Sequence, residues 1–277
     1  MKAAIVPNIA RTEAVECARE VREALTGHGW EVVLKEDLFD RTGAFCGEPE
    51  ESLAACDLLI AVGGDGTIIH TAKLAAGCDR PILGINAGRL GFTAGLERGD
   101  IPRLPQLLEG EHREERRLML RTDLISGDRH SSFLALNDAV VSGETAAIVQ
   151  YEMALGENRG YRYRADGFIV ATPTGSTGYS LSAGGPVIQP GLDCLVYTPV
   201  CPHSLFGRSV VFGGDTRLVV TIPENNSRVF FTVDGEPPTE IYPGDRLVFS
   251  KAERYARFLR LGNRDFYDVL NQKITSA

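Results

Sequence analysis

The chain of 277 residues has no excess of basic side chains, no closely paired cysteines and no long apolar segment. Its formal net charge is −8, which argues against nucleic acid or an anionic membrane as the main partner, because both carry the same sign of charge. The six cysteines form no C-x-x-C pair, and the first residues run directly into a strand pattern instead of a signal peptide. We therefore expect a cytoplasmic protein with reduced thiols.

Two further absences narrow the class of protein. No apolar stretch approaches the roughly 20 residues of a membrane-spanning helix. The five histidines lack the spacing of metal ligands, so we expect no structural zinc and no metal held by a fixed set of protein ligands. The composition, 43% apolar and 24% charged, is that of a globular protein with one large or two ordinary domains.

The most informative segment is a glycine-rich loop at residues 63–67, which reads Gly-Gly-Asp-Gly-Thr. It follows the apolar run 58–62 and precedes a helix-like stretch at 68–76. Glycines let backbone N–H groups approach an anion, and the start of the next helix adds its positive end. An Asp inside such a cradle would repel a polyphosphate unless it bound Mg²⁺, accepted a proton or bonded a hydroxyl. This combination indicates phosphoryl transfer.

Two well-known phosphate loops do not fit this segment. No Lys-Ser/Thr pair follows the glycines, which argues against a Walker-type P-loop, and the spacing differs from the G-x-G-x-x-G dinucleotide fingerprint. The loop therefore belongs to another kinase-like class.

The first 110 or so residues alternate strand and helix patterns, which predicts an open α/β domain with a parallel sheet. The loop at 63–67 then lies at the carboxyl end of a strand, where open α/β sheets bind ligands. The predicted strands are 3–6, 31–34, 58–62 and 82–85, with helices at 12–28 and from Thr67.

From about residue 118 the pattern changes to short apolar runs separated by Gly, Asn, Asp and Pro, which predicts a β-rich domain. Apolar residues recur at helical spacing in 265–274, so we expect a last helix that returns to the first domain. The predicted domains are 1–115, 116–255 and a C-terminal segment, 256–277. The predicted strands are 119–125, 133–141, 149–155, 168–171, 195–200, 218–222, 229–233 and 247–249.

Two later segments extend the predicted site. Residues 85–92, Ile-Asn-Ala-Gly-Arg-Leu-Gly-Phe, alone favour a strand-ending turn, but beside the loop at 63–67 they predict the second wall of a crevice. Residues 166–186 run from a strand into a stretch crowded with hydroxyls and glycines. Such a stretch suits an uncharged polar ligand, for example a ribose or the edge of a base.

These segments, in this order and at this approximate spacing, resemble those of NAD kinases over nearly the whole chain. The most specific is Thr-Pro-Thr-Gly-Ser-Thr-Gly-Tyr at 172–179. Lipid kinases of the diacylglycerol and sphingosine type share a similar Gly-Gly-Asp-Gly-Thr loop, and phosphofructokinases a related one. The matching segments are 63–67, 84–92, 137–138, 166–186, 202–205 and 234–235.

The resemblance implies phosphorylation of the 2′-hydroxyl of the adenosine ribose of NAD, with ATP or another phosphate donor and a divalent metal, Mg²⁺ or Mn²⁺. Asp65 would be the general base or would orient the hydroxyl. The resemblance also implies a homodimer or homotetramer, since the family's counterpart of Asp166 can reach a neighbouring subunit's site. The donor phosphates would be held by Gly63, Gly64, Gly66 and Thr67. NAD would be bound by Asp65, Gly66, Phe92, Asn137, Asp138, Arg164, Asp166, Thr174, Thr177, Tyr179 and Ser182.

Several of these residues also have a purely structural interpretation. Asn137-Asp138 is equally typical of a turn, and a single Phe such as Phe92 is more often a core residue. Arg164, with Arg159 and Arg162, is typical of a solvated strand face, the alternative being attraction of a polyphosphate or NADP.

Three positions depart from the family pattern. Gly178 stands where Ala is usual, which would loosen that turn or admit the ligand closer. Asp138 stands where Glu is common and has a shorter reach, and Gly235 lacks the His that some members carry.

Two rival functions remain open. One is a lipid or sugar kinase that shares only the loop at 63–67. The other is a non-catalytic NADP(H)-binding regulator. The presence of Asp65, the residue expected to act as general base, argues against it. The choice between ATP and polyphosphate as donor does not follow from the sequence.

Overall fold

A computed structural model describes residues 1–34, 53–87, 91–110, 112–144, 147–204, 207–224, 227–261 and 265–275. The chain divides into two compact units, unit 1 with Met1–Arg116 and Arg254–Ala277, and unit 2 with Arg117–Glu253. Within the described ranges, no helix is both long and apolar enough to cross a membrane.

The helices and strands are numbered here in chain order. They are β1 Lys2–Pro7, α1 Thr12–Thr26, β2 Glu31–Leu34, β3 Leu58–Gly63, α2 Asp65–Gly77, β4 Pro81–Asn86, β5 Leu96–Glu97, a 3₁₀ helix Arg98–Arg103, α3 Leu104–Glu109, β6 His112–Ser126, β7 Arg129–Ala135, β8 Asp138–Gly143, β9 Val149–Leu155, β10 Tyr161–Ala165, β11 Gly167–Ala171, a 3₁₀ helix Gly175–Thr177, α4 Tyr179–Ser182, β12 Cys194–Val200, β13 Val210–Gly213, β14 Leu218–Thr221, β15 Val229–Val233, β16 Thr239–Ile241, β17 Arg246–Leu261 and α5 Phe266–Thr275.

Unit 1 contains a parallel sheet in the order β2, β1, β3, β4, to which the last residues of β17 add another parallel strand. Every residue of β3 is buried, as expected for a strand covered on both faces of a parallel sheet. Helix α1 buries Cys17, Val21 and Leu25, which lie four residues apart on one face. The predicted α/β domain with a parallel sheet is confirmed.

The C-terminal helix α5 belongs to unit 1. The rings of Phe92 and Phe266 lie 6.4 Å apart between centroids, and Lys273 Nζ lies 4.9 Å from the centroid of Phe92. The predicted return of the last helix to the first domain is therefore confirmed.

Unit 2 is rich in antiparallel strands, as predicted. One sheet has the order β13, β12, β11, β8, β15, β16. The first residues of β17 pair with β14, which pairs with β9, and β9 pairs with β10. An aromatic cluster joins β11 to β9 and β17. The ring centroid of Phe168 lies 4.5 Å from that of Tyr151 and 6.0 Å from that of Phe249. Such contacts stabilise the unit beyond the apolar area they bury.

Three predicted strands differ from the observed ones. The strand predicted at 119–125 is the later part of β6, which begins at His112. The strand predicted at 133–141 is interrupted after Ala135, because the backbone N–H groups of residues 136–138 donate to the carboxylate of Asp234 instead of to a neighbouring strand. The strand predicted at 247–249 is only the beginning of β17, which runs from Arg246 to Leu261. Charged residues at exposed positions of β17 hide its alternation from a search for apolar runs.

Candidate active site

The glycine loop lies between β3 and α2. Gly64 is the N-cap residue of α2, and no side chain caps this end of the helix. The N–H groups of Thr67 and Ile68 donate to the carbonyl of Gly64 at 3.1 and 3.2 Å. The N–H groups of Asp65 and Gly66 precede the first intrahelical bond, so the helix presents donors and the positive end of its dipole here.

The glycines of the loop serve different needs. A Cβ atom at Gly63 would lie 2.6 Å from Thr67 Oγ1, so no larger residue fits without a shift. A Cβ atom at Gly64 or Gly66 would meet nothing within 4 Å. Both residues line a cleft of about 520 Å³, and the missing side chains keep that cleft open to a ligand.

Side chains that were not predicted from the sequence also line this region. Arg11 and His70 line the same cleft as Asp65, and Arg11 also lines a neighbouring cleft of about 620 Å³ with Asn86 and Arg98. Arg11 follows β1 at the sheet edge where β3 ends. The rule that ligands bind outside the carboxyl ends of parallel strands could have indicated it.

Asp65 is the first residue of α2 and is held by the segment after β4. Thr93 Oγ1 donates to Asp65 Oδ1 at 2.5 Å, and the Thr93 N–H donates to the same oxygen at 3.3 Å. A Cβ atom at Gly91 would lie 2.2 Å from Asp65 Oδ1, so only glycine permits this approach. Thr93 is buried, whereas Asp65 is half-buried. The carboxylate therefore has one oxygen fixed by protein donors.

The segment predicted as the second wall begins where expected. Asn86, at the end of β4, pairs in register with Gly63, so both strands end at one edge of the sheet. Residues 88–90 of this segment lie outside the described residues. Phe92 is half-buried and contacts Phe266 and Lys273 of α5.

A second group of predicted residues lies in unit 2, around the turn between β7 and β8. Asp138 begins β8 and is buried, and burial together with the nearby Asp234 carboxylate raises the pKa of Asp138 to about 7. Asn137 Oδ1 and Thr174 Oγ1 are buried without a hydrogen-bond partner. Such atoms are costly to leave unsatisfied, so both are available to a polar ligand or to a water molecule.

The loop that follows β11 is held against this turn. Thr172 donates from its backbone N–H to the carbonyl of Asn137 at 2.8 Å, and from Oγ1 to the carbonyl of Leu136 at 2.5 Å. A Cβ atom at Gly175 would lie 2.0 Å from the Asn137 carbonyl oxygen. The approach therefore depends on glycine at 175.

Gly178, the first departure from the family pattern, faces the side chains of Asn137 and Asp138. A Cβ atom there would lie 3.6 Å from Asn137 Nδ2 and 3.7 Å from Asp138 Oδ2, which is ordinary contact, but 3.2 Å from the Gly175 carbonyl oxygen. The glycine thus leaves a space beside Asn137 and Asp138 that a methyl group would fill only with a small shift of the Gly175 carbonyl.

The other predicted NAD-binding residues of this unit are more accessible. Thr177 is half-buried and donates from Oγ1 to the carbonyl of Thr174 at 3.2 Å. Tyr179 and Ser182, on the short helix α4, are exposed.

Arg164 lies near the end of β10, and Asp166 directly follows that strand. His203 Nε2 is 3.5 Å from Asp166 Oδ1, and the His203 N–H donates to the Arg164 carbonyl at 2.9 Å. Arg162 and Arg164 are exposed and line a cleft of about 240 Å³ with Arg208 and His203. The basic run is therefore partly a solvated strand face and partly a cleft wall.

Comparison with known proteins assigns the family. A family model described as the ATP-NAD kinase N-terminal domain matches residues 3–112, and one described as the ATP-NAD kinase C-terminal domain matches residues 136–261. The chain is 42% identical over 281 residues to the NAD kinase of Symbiobacterium thermophilum, covering 100% of this chain and 99% of that one. The chain belongs to the NAD kinase family.

Other members of the NAD kinase family agree over the full length. The NAD kinase of Caldanaerobacter subterraneus is 36% identical over 99% of both chains. The structure of an NAD kinase from Archaeoglobus fulgidus in complex with ATP has 28% identity and a TM-score of 0.76 over all of both chains. The fold also matches that of yeast NADH kinase complexed with NADH, at 21% identity and a TM-score of 0.86, covering 99% of this chain and 87% of that one.

The structure thus gathers the predicted residues into two groups. The glycine loop, Asp65 and Phe92 lie in unit 1, and the predicted residues from Asn137 to Ser182 lie in unit 2. Among the described residues, no cluster of three or more His, Cys, Asp or Glu side chains is arranged to hold a metal ion.

Proposed function

We propose that this member of the NAD kinase family transfers the terminal phosphate of ATP to the 2′-hydroxyl of the adenosine ribose of NAD, which produces NADP. The observation that carries the chemistry is the Asp65 carboxylate, fixed by Thr93 at the uncapped start of α2. Family membership supplies the substrates. Relatives named NAD kinases, and related structures with NADH or ATP, support NAD and ATP as these substrates.

The donor phosphates bind at the glycine loop. Backbone N–H groups of Asp65 and Gly66 and the positive end of α2 point to this position, and the bare Cα atoms of Gly64 and Gly66 admit an anion closely. Thr67 lies in the space that a Cβ atom at Gly63 would need, so the loop requires glycine at 63.

The acceptor ribose binds at the turn of Asn137 and Asp138. The buried, unpartnered oxygens of Asn137 and Thr174 are the type of groups that ribose hydroxyls and base edges satisfy. The remaining parts of NAD are bound by Phe92, Arg164, Asp166, Thr177, Tyr179 and Ser182, which stay predictions.

In the reaction, the 2′-oxygen forms a bond to the γ-phosphorus while the bond from that phosphorus to the β–γ bridging oxygen breaks, and ADP leaves. Asp65 accepts the proton of the 2′-hydroxyl. Since Thr93 occupies Oδ1, Oδ2 is the oxygen that receives this proton. The fixed position of the carboxylate is the main requirement, because catalysis of phosphoryl transfer is mostly positioning and charge stabilisation.

A divalent cation, Mg²⁺ or Mn²⁺, enters with ATP. The fit is that of a metal held by its nucleotide: among the described residues, Asp65 is the acidic side chain that lines the 520 Å³ cleft at the loop, and Glu13 is the one that lines the neighbouring cleft. Mg²⁺ typically binds through substrate phosphates with one or two carboxylates. When bound, it would neutralise charge on the phosphates. The cytoplasmic location, the homo-oligomer and the bounds of the three predicted domains also stay predictions.

The test is NADP formation from NAD, ATP and Mg²⁺, read by a strictly NADP-specific dehydrogenase. We expect Asp65→Asn to lower kcat by about 10² or more, the effect typical of a removed general base, and to retain NAD binding by calorimetry. Asp128→Asn, in an exposed hairpin turn, is the matched control and should keep full activity.

Other outcomes select the rival functions. Phosphorylation of a lipid or sugar but not of NAD would indicate the kinase that shares only the loop. Loss of NAD binding in Asp65→Asn, in a protein without NADP formation, would indicate the non-catalytic regulator.

A further inference from the structure

One carboxylate outside the predicted site binds the backbone of the turn that carries Asn137 and Asp138. Asp234 Oδ2 accepts the N–H of Leu136 at 2.8 Å, and Oδ1 accepts those of Asn137 and Asp138 at 2.8 and 3.2 Å. In return, the Asp234 N–H donates to the Asp138 carbonyl at 3.0 Å. These bonds join residues 96 to 98 positions apart.

Asp234 reaches this position from a tight turn after β15. Asp234 and Gly235 have φ of 49° and 73°, and the N–H of Glu236 donates to the carbonyl of Val233 at 2.8 Å. Two consecutive positive φ values closed by such a bond define a type I′ turn, for which Asn-Gly and Asp-Gly are both favoured. The turn alone therefore does not require a carboxylate rather than an amide.

The bonds to residues 136–138 do require it. Three N–H groups converge on two oxygens, and only a carboxylate offers acceptors on both. The carboxamide of Asn would place an NH₂ group against at least one of these donors. Leu136 is fully buried, so its N–H could not turn to water instead.

The same turn is held from its other side. Thr172 binds the carbonyls of Leu136 and Asn137, while Asp234 binds the amides. With both kinds of backbone group occupied, the turn has one conformation, and the Cα–Cβ bonds of Asn137 and Asp138 are fixed in direction. Pre-organised backbone of this kind reduces the entropy that a ligand must offset on binding.

We infer that Asp234 is a positioning residue for the acceptor subsite, which holds Asn137 and Asp138 in the geometry that binds the ribose of NAD. The inference rests on the proposed function. In this role Asp234 does not touch the reacting atoms. It affects the binding of NAD and not the binding of ATP.

The test is Asp234→Asn, which keeps a favoured type I′ turn and removes one acceptor and the charge. We expect the KM for NAD to rise about tenfold, as for a buried donor left unsatisfied, with kcat within about threefold and the KM for ATP unchanged. The matched control is Asp79→Asn, a change at an exposed Asp that also has positive φ, 53°.

Thr172→Val removes a different bond to the same turn and should also raise the KM for NAD selectively, whereas Thr172→Ser should not. A folded Asp234→Asn protein with the wild-type KM for NAD would overturn the inference. So would equal losses for NAD and ATP, which indicate general damage. If the wild-type protein makes no NADP, the proposed function fails, and the dissociation constants of NAD from wild type and Asp234→Asn still decide the role of Asp234.

Discussion

At the scale of single residues, the chemistry depends on contacts that no local motif contains. The sequence predicted that Asp65 is functional, because a carboxylate inside a phosphate loop has few structural explanations. It did not predict Thr93, which lies 28 positions away and holds Asp65. Gly91 was visible only as part of a glycine-rich segment, and its reason, the approach of the Asp65 carboxylate, requires the fold.

The bond from Thr93 to Asp65 should affect turnover. Thr93→Val keeps the shape of the buried side chain and removes the hydroxyl donor, so the carboxylate is less firmly oriented. We expect kcat to fall by roughly tenfold, with the KM values for NAD and ATP within about twofold. Steady-state kinetics of NADP formation measure this. Thr93→Ser retains the donor and should keep most of the activity, and a wild-type kcat in Thr93→Val would exclude the orienting role.

Asp138 makes stability depend on pH. Burial and the Asp234 carboxylate raise its pKa from the ordinary 3.8 to about 7. A carboxyl that binds its proton more tightly in the folded state stabilises that state while protonated. This contribution is complete below about pH 3.8 and is lost as pH rises through about 7. The ionised form at higher pH is the one that ribose hydroxyls would stabilise.

Asp138→Asn cannot ionise, so its stability should not fall in this way. We expect the Tm of the variant minus that of wild type to become more positive between about pH 5 and about pH 8. Thermal unfolding of both proteins without ligand, in matched buffers, measures the difference. A difference independent of pH would mean that Asp138 does not titrate in this range.

At the scale of secondary structure, sequence patterns predicted the buried strands better than the exposed ones. β3 and β4 are apolar throughout and were predicted to within a residue of their observed ends. The short strands β13 and β16 lie at the edges of their sheet and were not predicted, since edge positions carry little apolar periodicity.

The break between β7 and β8 shows a second limit. Residues 133–141 have the apolar pattern of one strand, and the pattern holds no sign of Asp234, almost a hundred positions later. Side-chain acceptors can replace a neighbouring strand as partners of backbone N–H groups. An interruption of this kind follows from tertiary contacts and not from local propensity, and here it presents Asn137 and Asp138.

At the scale of the whole molecule, an acidic protein must bind two anionic substrates. The net charge of −8 opposes their approach, but it is spread over the surface, and salt screens charges beyond about 10 Å at 0.1 M. The attraction of the substrates therefore depends on cationic side chains close to the site. Among the described residues that line the two clefts at the glycine loop, Arg98 is paired with Glu20, whereas Arg11 is exposed and makes no ion pair.

Arg11 should therefore attract the phosphates of ATP. We expect Arg11→Ala to raise the KM for ATP by about five- to tenfold and to leave the KM for NAD unchanged, with Arg11→Lys between the two. Kinetics at increasing KCl supply the decisive control. The wild-type KM for ATP should rise as salt screens the local attraction, and that of Arg11→Ala should rise less. A wild-type KM for ATP that falls with salt would mean that repulsion by the net charge outweighs Arg11.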